Sequence, residues 1–269
     1  ILMANTSRYI PRNRYLNVLS AFMDKPVIKV LKGMRRVGKS VLMQLYMDKL
    51  RESGIAQSNI LYINKESLEF EFIKTYTDLY RYAKNYFNGA TGKNYIFIDE
   101  VQEIAEWEKA ITSFLSENIA DIVISGSNAR LFSSELATLL SGRYVEIVVH
   151  PLTFSEFLLF RKGSTDVETE FKNYLRYGGL PGLHQLSLED EIIFNYLNSI
   201  LNTILYRDII TRHKIRDASI FDRIVRYIFD NIGNITSAKK IADHFKSQRI
   251  KVSVDTILNY ISYIEQGLL

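Results

Sequence analysis

The most constraining feature of this chain is an eight-residue run, Gly33-Met34-Arg35-Arg36-Val37-Gly38-Lys39-Ser40, which satisfies G-x-x-x-x-G-K-[ST] in full. Its flanks suit it. A short β-rich stretch at 27–32 follows the turn-like Asp24-Lys25-Pro26, and residues 41–50 are rich in helix formers and free of Gly and Pro. A glycine-bearing turn between strand and helix lets backbone N–H groups wrap a phosphate, while the helix adds its positive N-terminus. We therefore expect Gly33, Met34, Arg35, Arg36, Val37, Gly38, Lys39, Ser40 and Val41 to surround a nucleotide's phosphates. Lys39 would reach the β- and γ-phosphates, and the Ser40 hydroxyl would be a magnesium ligand.

A second motif narrows the chemistry. Tyr95-Ile96-Phe97-Ile98-Asp99-Glu100 is an apolar run ending in two carboxylates. A strand buried on both faces reads this way, and in a parallel sheet its carboxyl end lies where ligands bind. Asp99 would hold magnesium, mostly through water, and Glu100 would orient and activate the attacking water. The plainer alternative is an acidic pair that caps the next helix. A glutamate in that place favours hydrolysis over phosphoryl transfer to a small molecule. Guanine specificity is disfavoured, because Asn64-Lys65-Glu66-Ser67 lacks the aspartate of N-K-x-D and Asn94 is not followed by Lys. ATP or ADP with Mg2+ is the expected cofactor set.

A third strand, Asp121-Ile122-Val123-Ile124, runs into Ser125-Gly126-Ser127-Asn128. Ser127 and Asn128 are candidates to hold the γ-phosphate or the catalytic water, with Ser125 behind them. An ordinary turn would use the same residue types. Strands at 59–63 and 144–149 complete five, alternating with helices, which predicts a parallel sheet covered on both faces.

Composition sets the outer limits. The 269 residues are 47% hydrophobic and 24% charged, enough for one sizeable α/β domain and one or two small ones. No run approaches the roughly 18 apolar residues of a membrane span, and residues 1–11 lack a secretory apolar core. We expect a cytoplasmic protein without a membrane partner. Cysteine is absent, which excludes disulfides and cysteine-based zinc sites. His150, His184, His213 and His244 are isolated, without ligand spacing to one another. The chain starts at Ile1 and stops at Leu269 inside an apolar pattern, as a portion of a longer protein would.

Five segments occur in a familiar order: Gly33-x-Arg35-Arg36-x-Gly38-Lys39-Ser40, Phe97-Ile98-Asp99-Glu100-Val101-Gln102, Ser125-Gly126-Ser127, Ser141-Gly142-Arg143-Tyr144 and Tyr177-Gly178-Gly179-Leu180-Pro181. The series resembles a prokaryotic family of AAA-type ATPases related to the archaeal and STAND branches. The resemblance implies an α/β, five-stranded parallel P-loop NTPase core of the ASCE/AAA-like kind. In such a core the strand of the third polar motif lies between the phosphate-loop and acidic-motif strands. It also implies that Arg143 serves as an arginine finger or γ-phosphate sensor, within the chain or across a subunit boundary; an ordinary salt bridge is the alternative. Pro181 matches a lid proline lying near the nucleotide base, although Gly-Gly and Pro-Gly also mark turns. Tyr9-Ile10-Pro11-Arg12 matches a segment that passes the adenine, and Ile10 is its candidate contact.

From residue 151 the pattern turns helical, with Phe154, Phe157, Leu158, Phe171, Tyr174 and Leu175 on one side. We divide the chain into a P-loop ATPase core at 1–150, a helical lid at 151–205 and a winged-helix-like, all-α domain at 206–269. That last region reads as three helices. Thr236 or Ser237 starts the second, with Ala238, Ile241, Ala242 and Phe245 on its apolar face. Ser253 starts the third, with Val254, Ile257, Leu258 and Ile261. The wing would follow Leu269. DNA is one expected partner of residues 236–269, through Lys239, Lys240, Lys246, Arg249 and Lys251. The third helix, however, exposes Asp255, Thr256, Asn259, Tyr260, Ser262 and Tyr263 and no basic residue. A protein partner or a homo-oligomer is the other expectation. Two functional readings follow: an ATPase whose cycle moves lid and winged helix, or a slow ATP-dependent switch that presents the winged helix to DNA or a partner.

Overall fold

The computed structural model describes residues 9–127, 140, 142–161, 164 and 166–267. The chain divides into two compact units, one ending at Ile193 and the other beginning at Phe194.

The first unit is built on five parallel strands: β1 (Ile28–Lys32), β2 (Ile60–Asn64), β3 (Tyr95–Asp99), β4 (Asp121–Gly126) and β5 (Tyr144–Val148). Their order is β2-β3-β4-β1-β5, so β4 lies between the strand that leads into the phosphate loop and the strand that ends in Asp99. Each connection is a crossover, as parallel pairing requires. The helices are α1 (Asn13–Ala21), α2 (Lys39–Glu52), α3 (Tyr76–Tyr86) and α4 (Trp107–Ser116).

Strand alternation sorts the core. Ile28 and Val30, Leu61 and Ile63, Ile96 and Ile98, and Ile122 and Ile124 point to one face. There they pack with Leu79 and Ala83 of α3 and with Trp107, Ala110, Ile111 and Phe114 of α4. Leu31, Phe97 and Val123 point the other way and are equally buried. Phe97 meets Tyr46 of α2 edge-on at 5.9 Å between ring centres. A sheet buried on both faces explains why β3 is apolar at every position up to its carboxylate.

At the N-terminal ends of the strands, fully buried Lys29 forms an ion pair with Asp121. Lys29 also donates to the Phe22 carbonyl at 3.2 Å, and Asp121 accepts from the Asp24 N–H at 2.9 Å. Burial pulls the Lys29 ammonium pKa down, while the charge and hydrogen bond of Asp121 oppose the shift.

Beyond β5 come α5 (Phe154–Phe160), α6 (Val167–Tyr177), a short turn of helix at Pro181–Gln185 and α7 (Asp190–Thr203), which crosses the unit boundary. A capping box formed by Thr153 and Glu156 starts α5. The second unit holds a π-helical stretch (Ile204–Ile210) and helices α8 (Ala218–Asp230), α9 (Ala238–Ser247) and α10 (Val254–Gln266). Ser237 and Ser253 cap α9 and α10, each accepting a backbone N–H three residues on. Ile224, Ile241, Ala242, Phe245 and Ile257 form the core of this unit.

Candidate functional site

The phosphate loop leaves β1 at Lys32 and turns into α2 through Gly38, whose φ of +98° suits glycine. Gly33 is fixed by contact rather than by torsion: a Cβ there would lie 2.3 Å from the Val149 carbonyl oxygen. Lys39 is buried, and its ammonium donates to the Gly33 carbonyl at 2.8 Å and the Met34 carbonyl at 3.1 Å. Desolvation lowers its pKa, against the charges of Glu100 and Asp99. Both carboxylates therefore lie within electrostatic reach of Lys39. Arg35 pairs with Glu66 at 3.0 Å, Arg36 is exposed with a φ of +66°, and Val37 is buried. Ser40 is exposed and Val41 half-buried in the first turn of α2.

Strand order brings the acidic pair beside this loop. Asp99 is 2% exposed, and its two oxygens take separate donors: the Ser125 hydroxyl on Oδ1 and the Tyr62 hydroxyl on Oδ2 at 3.1 Å. Burial, with the charge of Asp99, pushes the Tyr62 phenol well above its ordinary range and keeps it a donor. Glu100 turns the chain with a φ of +56°, uncommon for a residue with a side chain. Its N–H faces the Ser125 hydroxyl at 3.3 Å. Its carboxylate Oε2 accepts from the Ser127 hydroxyl at 2.8 Å and from the side-chain amide of Gln102.

The oxygen donors fit a magnesium ion held with nucleotide. Ser40 supplies a hydroxyl, and Asp99 a carboxylate fixed by two hydrogen bonds, the hard donors that Mg2+ takes together with phosphate oxygens and water. Among the described residues no group of three or more His, Cys, Asp or Glu side chains could hold a metal by itself.

The other expected residues fall as follows. Pro181 stands beside the phosphate loop, its Cγ 3.9 Å from where a Gly38 Cβ would be. Ile10 is half-buried, two residues ahead of Arg12. Asn128 lies outside the described residues. Arg143 is exposed at the start of β5, where its carbonyl accepts from the Ile28 N–H at 2.9 Å. The β1–β5 register runs from Ile28 opposite Tyr144 to Lys32 opposite Val148. At about 3.3 Å per residue, Arg143, five positions before Val148, is thus on the order of 17 Å from the loop end of its own sheet. The structure does not bring it to the loop within the chain.

Sequence reasoning passed over two residues of the site and ranked a third behind its neighbours. Tyr62 and Gln102 were not singled out, and Ser125 was placed after Ser127 and Asn128. Gln102 carried the clearest signal, a long amide two positions after a carboxylate pair.

Residues 25–158 match the family described as AAA domain. This part of the chain is similar to AAA domains. Residues 168–269 match a family described only as a domain of unknown function. An uncharacterized protein of Haemophilus influenzae is 37% identical over 263 residues, covering 97% of this chain and 65% of that protein. Uncharacterized protein MJ1544 of Methanocaldococcus jannaschii is 32% identical over 256 residues, covering 90% of this chain and 55% of that protein. The chain thus spans less than two thirds of either relative. Among solved structures, the Walker-type ATPase PABY2304 of Pyrococcus abyssi aligns over 99% of this chain and 93% of its own, with a TM-score of 0.65 at 14% identity. The Hsp104–ADP complex of Saccharomyces cerevisiae aligns over 96% of this chain and 39% of its own, with a TM-score of 0.51 at 13% identity. At such identities the likeness concerns the fold alone. No described helix is long and apolar enough to cross a membrane.

Proposed function

We propose that this chain binds ATP with magnesium at the AAA domain and hydrolyses it, the nucleotide state being passed to the helices that follow. The observation that carries the reading is the convergence on one sheet end of a buried Lys39, a buried Asp99 and a Glu100 whose carboxylate is held by two donors.

In this reading the loop N–H groups and Lys39 hold the phosphates. Asp99 and Ser40 hold magnesium, which neutralises charge developing on the transferred phosphoryl group. Glu100 orients the attacking water and takes its proton. Ser127 and Gln102 both donate to one oxygen of Glu100, leaving Oε1 as the freer acceptor for that water. Asn128, outside the described residues, is the further candidate to hold the γ-phosphate or the catalytic water. Pro181, at the start of a short helical turn beside Gly38, would cover the base side together with Ile10. Residues 151–205 then act as the lid. Arg143, at the far end of β5 from its own loop, serves the γ-phosphate of a neighbouring copy if the chain assembles head to tail. A cytoplasmic setting fits this chemistry.

A second reading makes the chain a slow ATP-dependent switch whose winged-helix-like residues 206–269 contact DNA or a partner protein. The exposed Lys239, Lys240, Lys246, Arg249 and Lys251 around the start and end of α9 favour it. One assay separates the readings: phosphate release by wild type and by Glu100→Gln, with and without duplex DNA. The enzyme reading expects a drop of roughly 100-fold or more in the variant. Equally negligible turnover of both proteins, alongside nucleotide-dependent retention of DNA, favours the switch.

A further inference from the structure

Two ion pairs, one buried and one partly buried, stand at opposite ends of the sheet, and they differ in what they hold. Lys29 and Asp121 join the starts of β1 and β4, with further bonds to the Phe22 carbonyl and the Asp24 N–H. Arg12, just ahead of α1, reaches the other end and is 5% exposed. All five of its N–H donors are used. Nε and Nη2 bind the two oxygens of Glu156, each at 2.9 Å. Nη1 donates to the Val37 carbonyl at 3.2 Å and the His150 carbonyl at 2.9 Å, and Nη2 also donates to the Pro151 carbonyl at 3.3 Å. Beneath it the Tyr15 ring lies 4.6 Å away, and the Tyr15 hydroxyl accepts from the His150 N–H at 3.1 Å.

One of these partners is the phosphate loop itself. In a planar trans peptide the carbonyl and the following N–H point in opposite directions. Fixing the Val37 oxygen toward Arg12 therefore fixes the direction of the Gly38 N–H, in the residue next to Lys39. The His150 and Pro151 carbonyls belong to the segment that also packs its Val149 oxygen against Gly33. Glu156 opens α5 and reaches back to the Thr153 N–H at 3.0 Å. One planar guanidinium thus joins the loop, the exit of β5 and the first turn of α5, a fork of donors that a lysine cannot reproduce.

We propose that Arg12 is a positioning residue for the phosphate loop, acting through the Val37 carbonyl and anchored by Glu156, so that nucleotide affinity depends on this clamp. The inference rests on the nucleotide-binding reading above. It assigns Lys29–Asp121, by contrast, to the stability of the sheet alone.

The test compares ADP and ATP binding by calorimetry, with magnesium, for wild type, Arg12→Lys, Glu156→Gln and the double variant Lys29→Met/Asp121→Leu. Melting temperatures are taken without nucleotide. Arg12→Lys is expected to bind about tenfold more weakly at temperatures well below its melting point. Glu156→Gln should shift in the same direction by about threefold. In turnover, KM should rise in both while kcat stays within about twofold, since Asp99 and Glu100 are untouched. The Lys29–Asp121 double variant should change its melting temperature with affinity within twofold of wild type. Wild-type affinity in Arg12→Lys, or an affinity loss that merely tracks melting temperature across all variants, overturns the proposal. If Arg12→Lys does not fold, Glu156→Gln decides: weaker binding supports the clamp and unchanged binding overturns it. Failure of folded wild type to bind either nucleotide would instead remove the nucleotide reading on which the clamp depends.

Discussion

Glu100 and Gly179 show how single residues are held by their surroundings. Glu100 sits in the left-handed region, with its N–H on Ser125 and its carboxylate on Ser127 and Gln102. Three contacts hold a backbone conformation that costs an ordinary residue about 1 kcal/mol or more. Gly179 is constrained by space. A Cβ there would lie 2.4 Å from the Leu152 carbonyl oxygen and 3.0 Å from its nitrogen, across a pairing in which the Leu152 N–H donates to the Gly179 carbonyl at 2.6 Å. Backbone cannot swing aside as a flexible side chain can. Gly179→Ala is therefore expected to cost about 1–3 kcal/mol, measured as a lower denaturant midpoint with an unchanged slope. A wild-type midpoint would show that the contact between residues 152 and 179 can relax.

The elements around the site were legible to different degrees, for physical reasons. The phosphate loop, the acidic strand and the serine-rich strand end announce themselves because their chemistry depends on local spacing. The observed strands keep to the expected ones within a residue or so, as with Ile28–Lys32 against the expected 27–32. Contacts made across long stretches of chain leave no local pattern. Arg12 and Glu156 are 144 positions apart, and the Asp24–Asp121 contact spans 97. Arg143 illustrates the same limit: its segment is legible by itself, but only the register of β5 on β1 tells which end of the sheet it occupies.

His184 gives the helical part of the first unit a pH dependence that the sequence did not suggest. Its ring lies 4.7 Å from the Phe157 ring and 5.3 Å from the Phe160 ring, and neither ring nitrogen has a hydrogen-bond partner. Burial, helped by the charge of Arg161 and opposed by Glu170, pulls its pKa down to about 4. The unfolded chain takes up this proton near the ordinary value of 6.5, and the folded chain only near 4. Stability from this group is thus complete above about 6.5 and is lost progressively as pH falls toward 4. His184→Leu should flatten the dependence of the denaturation midpoint between pH 7 and pH 5, where paired carboxylates such as Glu156, whose pKa is lowered rather than raised, change little. An unaltered slope would mean that His184 does not govern this window.

At the scale of the whole molecule, residues 25–158, which match an AAA-domain family, are followed by helices that match a family described only as a domain of unknown function. The chain spans 65% and 55% of the lengths of its two relatives. The account nevertheless stands or falls on the first unit, because every later step presupposes an adenine nucleotide on the phosphate loop. The most direct measurement is calorimetry of wild type and Lys39→Ala with ATP, ADP and GTP in magnesium, after denaturing a sample to check for ligand carried through purification. The account predicts binding of ATP and ADP over GTP by wild type, with loss of at least tenfold in Lys39→Ala. A folded wild-type protein that carries no nucleotide and binds none, or a Lys39→Ala variant that binds as tightly as wild type, would contradict it.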